Sequence, residues 1–205
     1  MSEITTGAEA EVLVLYYSPG GTTAKMANII ARGIEEVEGI RARIRTVPAV
    51  SPSTEQVAPK IPQDGPLYAS TDDLIECDAL ILGCPTHFGN MPAAMKYFID
   101  STSALWMAGK LAGKPAAVFS ASSSMHGGQE STLLTMMLPL LHHGMLIIGL
   151  PYTETELFQT KTGGTPYGAT RLTDDMEATP LSDDERKLCL ALGRRVAATT
   201  KKLSR

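Results

Sequence analysis

Cysteine is scarce in this chain. Cys77, Cys84 and Cys189 are the only three in 205 residues, an odd number without framework spacing, which speaks against a disulfide-stapled secreted scaffold and for a reducing cytoplasm. Basic residues are outnumbered: 18 Lys and Arg face 22 Asp and Glu, for a net charge of −4. That balance lacks the electropositive footprint of a nucleic-acid binder and disfavours an anionic membrane surface. No apolar run is long enough to cross a bilayer, and the polar stretch Met1–Ala10 has no apolar signal core. Several motifs are missing as well. The Walker A pattern G-x-x-x-x-G-K-[ST], the dinucleotide pattern G-x-G-x-x-G and the hydrolase elbow G-x-S-x-G are all absent, which sets aside three common phosphate- and acyl-handling sites.

What the chain does have is a buried-strand pattern running into a loop of small residues. Val12–Tyr17 is continuously apolar, as in a strand covered on both faces. Ser18, Pro19, Gly20, Gly21, Thr22 and Thr23 follow, and then Met26, Ile29, Ile30, Gly33, Ile34 and Val37 recur with helical spacing. The loop therefore sits at a helix N-terminus, where unpaired N–H groups and the dipole favour an anion. Glycine lets the backbone curl close to a ligand, and three hydroxyls add donors. With no Lys or Arg within 18–23, a phosphate here would be held by neutral groups. An ordinary turn capped by Ser18 or Thr22 suits the same pattern.

Further along, Arg41–Val47 alternates with period two, predicting an edge strand with Arg41, Arg43 and Arg45 on its solvent face. Those arginines suit either protection against edge-to-edge pairing or contact with a nucleotide phosphate. Pro48–Pro66 holds five prolines and reads as a surface excursion. A short capped helical turn is expected over 71–76, strands over 79–83, 115–119 and 145–149, and helices opening at Pro92 and running over about 129–143. Ser101–Gly113, with the single tryptophan Trp106, reads as a loop, and 150–180 as a segment of little periodicity. Ser182–Glu185 is a capping box for a last helix with Leu188, Leu192 and Val196 on its buried stripe.

Five strands alternating with helices predict an α/β fold, a doubly wound five-stranded parallel sheet, over residues 11–205 as a single domain after a flexible 1–10 lead-in. Ligands of such sheets sit beyond the carboxyl ends of the strands at the switch in strand order. The loops after strands one, three and four hold the Gly, Ser, Thr and His residues. A receiver-type phosphoacceptor is set aside because the strand ends read Ser18-Pro19, Cys84-Pro85 and Gly149-Leu150 rather than acidic. A flat ring carrying one phosphate, such as flavin mononucleotide (FMN), fits what remains. Cys84 reads as a small buried hydrophobe, and His87, His126, His142 and Cys84 lack metal-ligand spacing. Taken alone, His142-His143 would simply be cations ending a helix, and Trp106 a core or interface residue.

The stretches VLVLYYS (12–18), PTHFGNM (85–91), LW (105–106), HGGQE (126–130), HHGM (142–145) and GGTPYGAT (163–170) together resemble the flavodoxin-like NAD(P)H:quinone reductases, historically called tryptophan-repressor-binding proteins. The resemblance extends from Val12 to the last helix. It implies a flavodoxin-like fold, non-covalently bound FMN, NADH or NADPH as electron donor, a quinone as substrate, and a homotetramer whose active sites draw on more than one subunit. Ser18–Thr23 would then bind the flavin phosphate. Pro85, Thr86, His87, Phe88 and Gly89 would line the ring, and Ser122, Ser123, Ser124, Met125, His126 and Gly127 would meet its polar edge. His142 would reach a flavin, from a neighbouring subunit if not its own, and Trp106 would wall the substrate. Gly20 departs from the aromatic that many relatives carry there.

The reaction expected from this resemblance is a ping-pong hydride transfer with no obligatory side-chain acid or base. His142 or His87 is the candidate if a side chain helps protonate the quinone. The alternative is a flavodoxin-type FMN electron carrier acting with protein partners. The DNA-linked historical name finds no support in the acidic charge.

Overall fold

The computed structural model describes residues 10–51, 61–173 and 180–204. The expected lead-in at 1–9, Pro52 and Pro59 of the proline-rich excursion, and the 174–179 part of the segment before the last helix lie outside the described residues. The strands are β1 (Ala10–Tyr16), β2 (Ile40–Thr46), β3 (Ala79–Pro85), β4 (Pro115–Ser122), β5 (Leu146–Ile147) and β6 (Ala169–Leu172). The helices are α1 (Thr22–Glu35), α2 (Thr71–Glu76), α3 (Ala93–Asp100), α4 (Ser103–Met107), α5 (Gln129–His142), α6 (Glu156–Gln159) and α7 (Asp183–Leu203). The strands pair in parallel in the order β2-β1-β3-β4-β5, with β6 also on β4.

Alternation along the central strands divides the core in two. Val12 and Val14 face α1 and α7, packing with Met26, Ile30, Ile34, Leu188, Leu192 and Val196. Leu13 and Leu15 point to the other face, with Leu80, Leu82, Met95, Leu133 and Met136. That two-sided burial is why β1 and β3 are continuously apolar. Helices α1 and α7 approach closely because each offers a glycine. A Cβ at Gly33 would lie 2.2 Å from the Leu190 carbonyl oxygen, and one at Gly193 would lie 2.2 Å from that of Ile30. Among the described residues no helix is long and apolar enough to cross a membrane.

Three expectations need correction. The fifth place in the sheet is not one strand over 145–149 but two short ones. Pro115 and Ala116 pair with β5, and Phe119–Ser122 pair with β6. The chain leaves the ladder after Ile148 and returns at Ala169; on the way the Leu150 amide donates to the Pro166 carbonyl at 2.9 Å. The GGTPYGAT stretch is the buckle that closes this insertion. Gly164 N–H donates to Thr170 Oγ1 (2.7 Å), Thr170 Oγ1 donates to Gln129 Oε1 (2.6 Å), and the Glu185 carboxylate accepts from Gly163 and Leu172 N–H at 3.0 Å each.

The expected loop at 101–113 contains α4, started by the Thr102 carbonyl, which accepts from Leu105 and Trp106 N–H.

The arginines of β2 do not form a free solvent face. Arg41 pairs with Glu11 at 2.7 Å, Arg43 with Glu11, with Asp73 (3.1 Å) and with Glu76 (2.9 Å), and Arg45 with Asp73 (3.0 Å). Their partners are carboxylates, so the phosphate-contact reading of these side chains does not hold. They tie β2 to β1 and to α2, the expected short helical turn over 71–76, which is capped by a Ser70–Asp73 capping box.

Candidate functional site at the carboxyl ends of the strands

The switch in strand order falls between β1 and β3, and the loop leaving β1 lies there. Ser18, Pro19, Gly20, Thr22, Thr23, Pro85, Thr86, Ser122 and Ser123 converge on one cavity of about 230 Å³, joined by Ala121 and Thr173. Gly21 caps α1 in the left-handed region at φ 76°, a conformation that favours glycine. A Cβ at Gly20 or Gly21 would meet nothing within 4 Å, so the loop stands open toward the cavity. Ser18 Oγ accepts from Ala24 N–H at 3.1 Å and so caps the helix, while the Thr22 and Thr23 amides have no acceptor inside the helix. No Lys or Arg is among the described residues lining the cavity.

On the β3 side, Thr86 is prepared as a donor. Buried Thr132 donates its hydroxyl proton to Thr86 Oγ1 at 2.7 Å, which leaves the Thr86 proton free for another acceptor. His87 and Asn90 then exchange both backbone hydrogen bonds (2.8 and 3.1 Å) around a two-residue turn. Phe88 (φ 54°) and Gly89 (φ 73°) are its central residues, the pattern of a type I′ turn. A left-handed phenylalanine costs about 1 kcal/mol, and Phe88 is fully exposed, so the turn displays an aromatic ring at the rim under local strain.

On the β4 side the chain curls on itself. Ser122 Oγ donates to the Ser124 carbonyl (2.8 Å), as does Gly127 N–H (3.2 Å). Ser123, Ser124, Met125, His126 and Gly127 are exposed around the opening. A Cβ at Gly127 would lie 2.2 Å from Ser124 Oγ, so the serine hydroxyl packs directly over the glycine. Beneath the site Cys84 is fully buried, and burial pushes its thiol up to about 12, an inert hydrophobe as expected. Among the described residues no His, Cys, Asp or Glu cluster could hold a metal ion.

His142 and Trp106 are not brought to this cavity. They line a second one, of about 430 Å³, with Ile99, Asp100, Thr102, Ser103, Pro139 and His143. Helix α5 separates the two. Its N-cap Gly128 packs against Thr86 and Gly89 at the first cavity, and His142 ends it 14 residues later, about 20 Å away at helical rise. Sequence reasoning missed Thr173, because the short stretch Ala169–Leu172, with Thr170 and Arg171 at its centre, carries no strand pattern. It also missed Thr132 and Thr102, single hydroxyls inside or beside helices. His143 was visible only as the second half of a histidine pair.

The family of NADPH-dependent FMN reductases matches residues 10–155 of the chain. A protein of Solidesulfovibrio magneticus named NAD(P)H dehydrogenase (quinone) is 38% identical over 201 residues, 94% of this chain and 98% of that protein. Among solved structures, a WrbA-like flavodoxin protein from Agrobacterium tumefaciens matches with a TM-score of 0.68 at 24% identity, over 94% of this chain and 98% of that one. An archaeal flavodoxin matches with a TM-score of 0.61 at 20% identity, over 93% and 99%. At these identities the two structures speak for the fold alone.

Proposed function

The chain belongs to the NADPH-dependent FMN reductase family, and on that premise we propose that it binds FMN and reduces quinones with electrons from NADH or NADPH. The observation that carries this reading is the 230 Å³ cavity at the strand-order switch, built from neutral donors and glycine. A phosphate monoester suits the open backbone at Gly20 and Gly21, the free amides of Thr22 and Thr23, and their hydroxyls. A flat ring suits the two loops beside it, one presenting the Thr86 donor and one a curl of small residues.

When bound, FMN supplies the two-electron chemistry, as the hydride carrier between nicotinamide donor and quinone in a ping-pong sequence. The protein's share is placement. Ser18–Thr23 anchor the phosphate. Pro85, Thr86, His87, Phe88 and Gly89 would line the ring, and the Ser122–Gly127 curl, with the Ser123 and Ser124 hydroxyls still free to donate, would meet its polar edge. His142 delivers a proton to the quinone oxygen, with His87 the nearer candidate within one chain.

The site is completed by a neighbouring subunit in a homotetramer. Leu134, Leu138 and Leu141 form an exposed apolar stripe on α5, flanked by exposed Tyr97 and Met107. An isologous pairing whose two-fold axis runs across α5 would set the helix antiparallel to its copy and bring the His142 end of one helix to the Gly128 end of the other. Trp106 would then wall the substrate at the neighbouring subunit's site. The acidic chain has no need of a nucleic-acid partner, and its place is the cytoplasm.

The test is the visible spectrum of the protein reconstituted with FMN under anaerobic conditions. Flavin bands should bleach on adding NADH or NADPH and return on adding benzoquinone. Bound flavin that ignores both nucleotides would favour the electron carrier, and failure to bind flavin would reject the cavity assignment. Light scattering gives the oligomer mass independently.

A further inference from the structure

Thr102 Oγ1 has one proton, and it goes to the Ile99 carbonyl at 2.7 Å. The same oxygen lies 2.9 Å from His143 Nε2. Thr102 can therefore only accept from His143, and neutral His143 must carry its proton on Nε2. Its Nδ1 is then a bare lone pair, buried and without a hydrogen-bond partner. Both residues are more than nine-tenths buried.

Each partner holds one wall of the 430 Å³ cavity. The Thr102 carbonyl starts the short helix that carries Trp106. His143 closes α5 directly after His142, its own N–H donating to the Pro139 carbonyl at 3.0 Å. Gly144, at φ 75°, follows as the left-handed residue that ends the helix. So the chain turns His143 inward and leaves His142 exposed.

We propose that the Thr102–His143 hydrogen bond is a positioning dyad that sets Trp106 and His142 relative to one another, and thereby the width of the wall presented to the quinone. The proposal rests on the reading of Trp106 and His142 as substrate-facing groups. His143 itself touches no substrate and acts through its two neighbours.

Trp106 is the single tryptophan, so its fluorescence reports the wall directly, with or without flavin or turnover. Four variants divide the question: Thr102→Val and His143→Phe remove the bond, while Thr102→Ser and His143→Gln keep an acceptor and a donor in place. The first pair should shift Trp106 emission, increase its quenching by acrylamide, and raise the quinone KM about tenfold with a smaller change in kcat. The second pair should restore emission and bring KM to within about twofold of wild type. Should His143→Phe fail to fold, nitrogen NMR of the wild-type imidazole still decides, since the dyad requires the Nε2–H tautomer.

A proton on Nδ1, or Trp106 emission and quenching unmoved by Thr102→Val, overturns the dyad. Emission that shifts while the quinone KM stays put also overturns it, because the wall would then have no bearing on substrate. A wild-type protein without quinone reductase activity would instead reject the functional reading, with the fluorescence and NMR results still deciding the hydrogen bond.

Discussion

The Ser18 hydroxyl accepts the Ala24 amide proton at 3.1 Å, six residues along the chain. One side chain thus serves the helix while its loop faces the cavity. Truncation, Ser18→Ala, should cost about 1 kcal/mol of stability through the lost cap. The same variant should weaken FMN binding several-fold, because the loop then loses the strut that holds the Thr22 and Thr23 amides in place. Chemical denaturation and a flavin fluorescence titration measure the two effects separately.

Gly20 offers the opposite case. It has a free Cβ direction and a φ outside the left-handed region, so Gly20→Tyr should fold with an unchanged melting temperature. The added ring projects at the rim of the site, and the expected result is a changed KM for NADH or NADPH with FMN affinity preserved. Steady-state kinetics with both donors checks this.

If His142 supplies a proton to the quinone, His142→Ala should lower kcat by roughly a hundredfold, the low end of general-acid effects. Rapid-mixing measurement of flavin reduction by NADH should show a smaller change, since that half-reaction needs no proton from the side chain. Equal losses in both half-reactions would reassign His142 to packing.

The ladder of charges along β2 is half-buried, so its members depend on one another. Glu11 has a buried carboxylate paired with Arg41 and Arg43. Glu11→Gln keeps the shape and removes the charge, and should destabilise the fold by about 2 kcal/mol, less than for a fully buried pair because Arg41 reaches solvent. The denaturant midpoint should fall with the slope unchanged.

Acid sensitivity should begin near neutrality. Burial, reinforced by the neighbouring His142, holds the His143 imidazole below its ordinary value. The unfolded chain therefore binds the extra proton first, and stability supplied by neutral His143 is full above about pH 6.5 and drains away as the pH falls through the depressed folded value. Asp73 acts in a lower window. Burial opposes its ionisation, but hydrogen bonds from Ser70 and Arg43 and the charge of Arg45 outweigh it and hold the carboxyl below the usual range. Its contribution is present above the unfolded value and is lost as pH falls through the folded one. Denaturation midpoints between pH 7.5 and 5.5 should decline in wild type and flatten in His143→Phe, while the steeper loss below pH 4 persists.

Much of the site was legible because it depends on local chemistry. Ser18–Thr23 announce a helix N-terminus by their own residue types, and continuously apolar β1 and β3 announce a sheet covered on both faces. The placement of Pro85–Thr86 and Ser122–Ser123 beside them follows from strand order. What stayed hidden depends on contacts remote in sequence. Thr173 reaches the cavity only because Phe119–Ser122 pair with a strand whose sequence, Ala-Thr-Arg-Leu, buries polar groups. Arg43 and Arg45 alternate like solvent-facing residues, and only Glu11 across the β1 pairing and the return of α2 supply their carboxylates. His143 differs from His142 by a single step along α5, and the Gly144 turn decides which of them points inward.

The interrupted fifth strand has a meaning for how this protein can diversify. Both ends of the insertion between β5 and β6 are fastened to one strand, β4, and its buckle closes on Gln129 and Glu185 rather than on the Ser18–Thr23 loop. A segment hung this way can lengthen, shorten or be exchanged without shifting β1 or β3. The sheet edge works as a mounting rail, on which a lineage can trade the surface around its reaction chamber while the chamber floor is inherited intact. The two short strands also leave little continuous backbone for a stray chain to zip onto, so the same break that permits variation guards the exposed margin against aggregation.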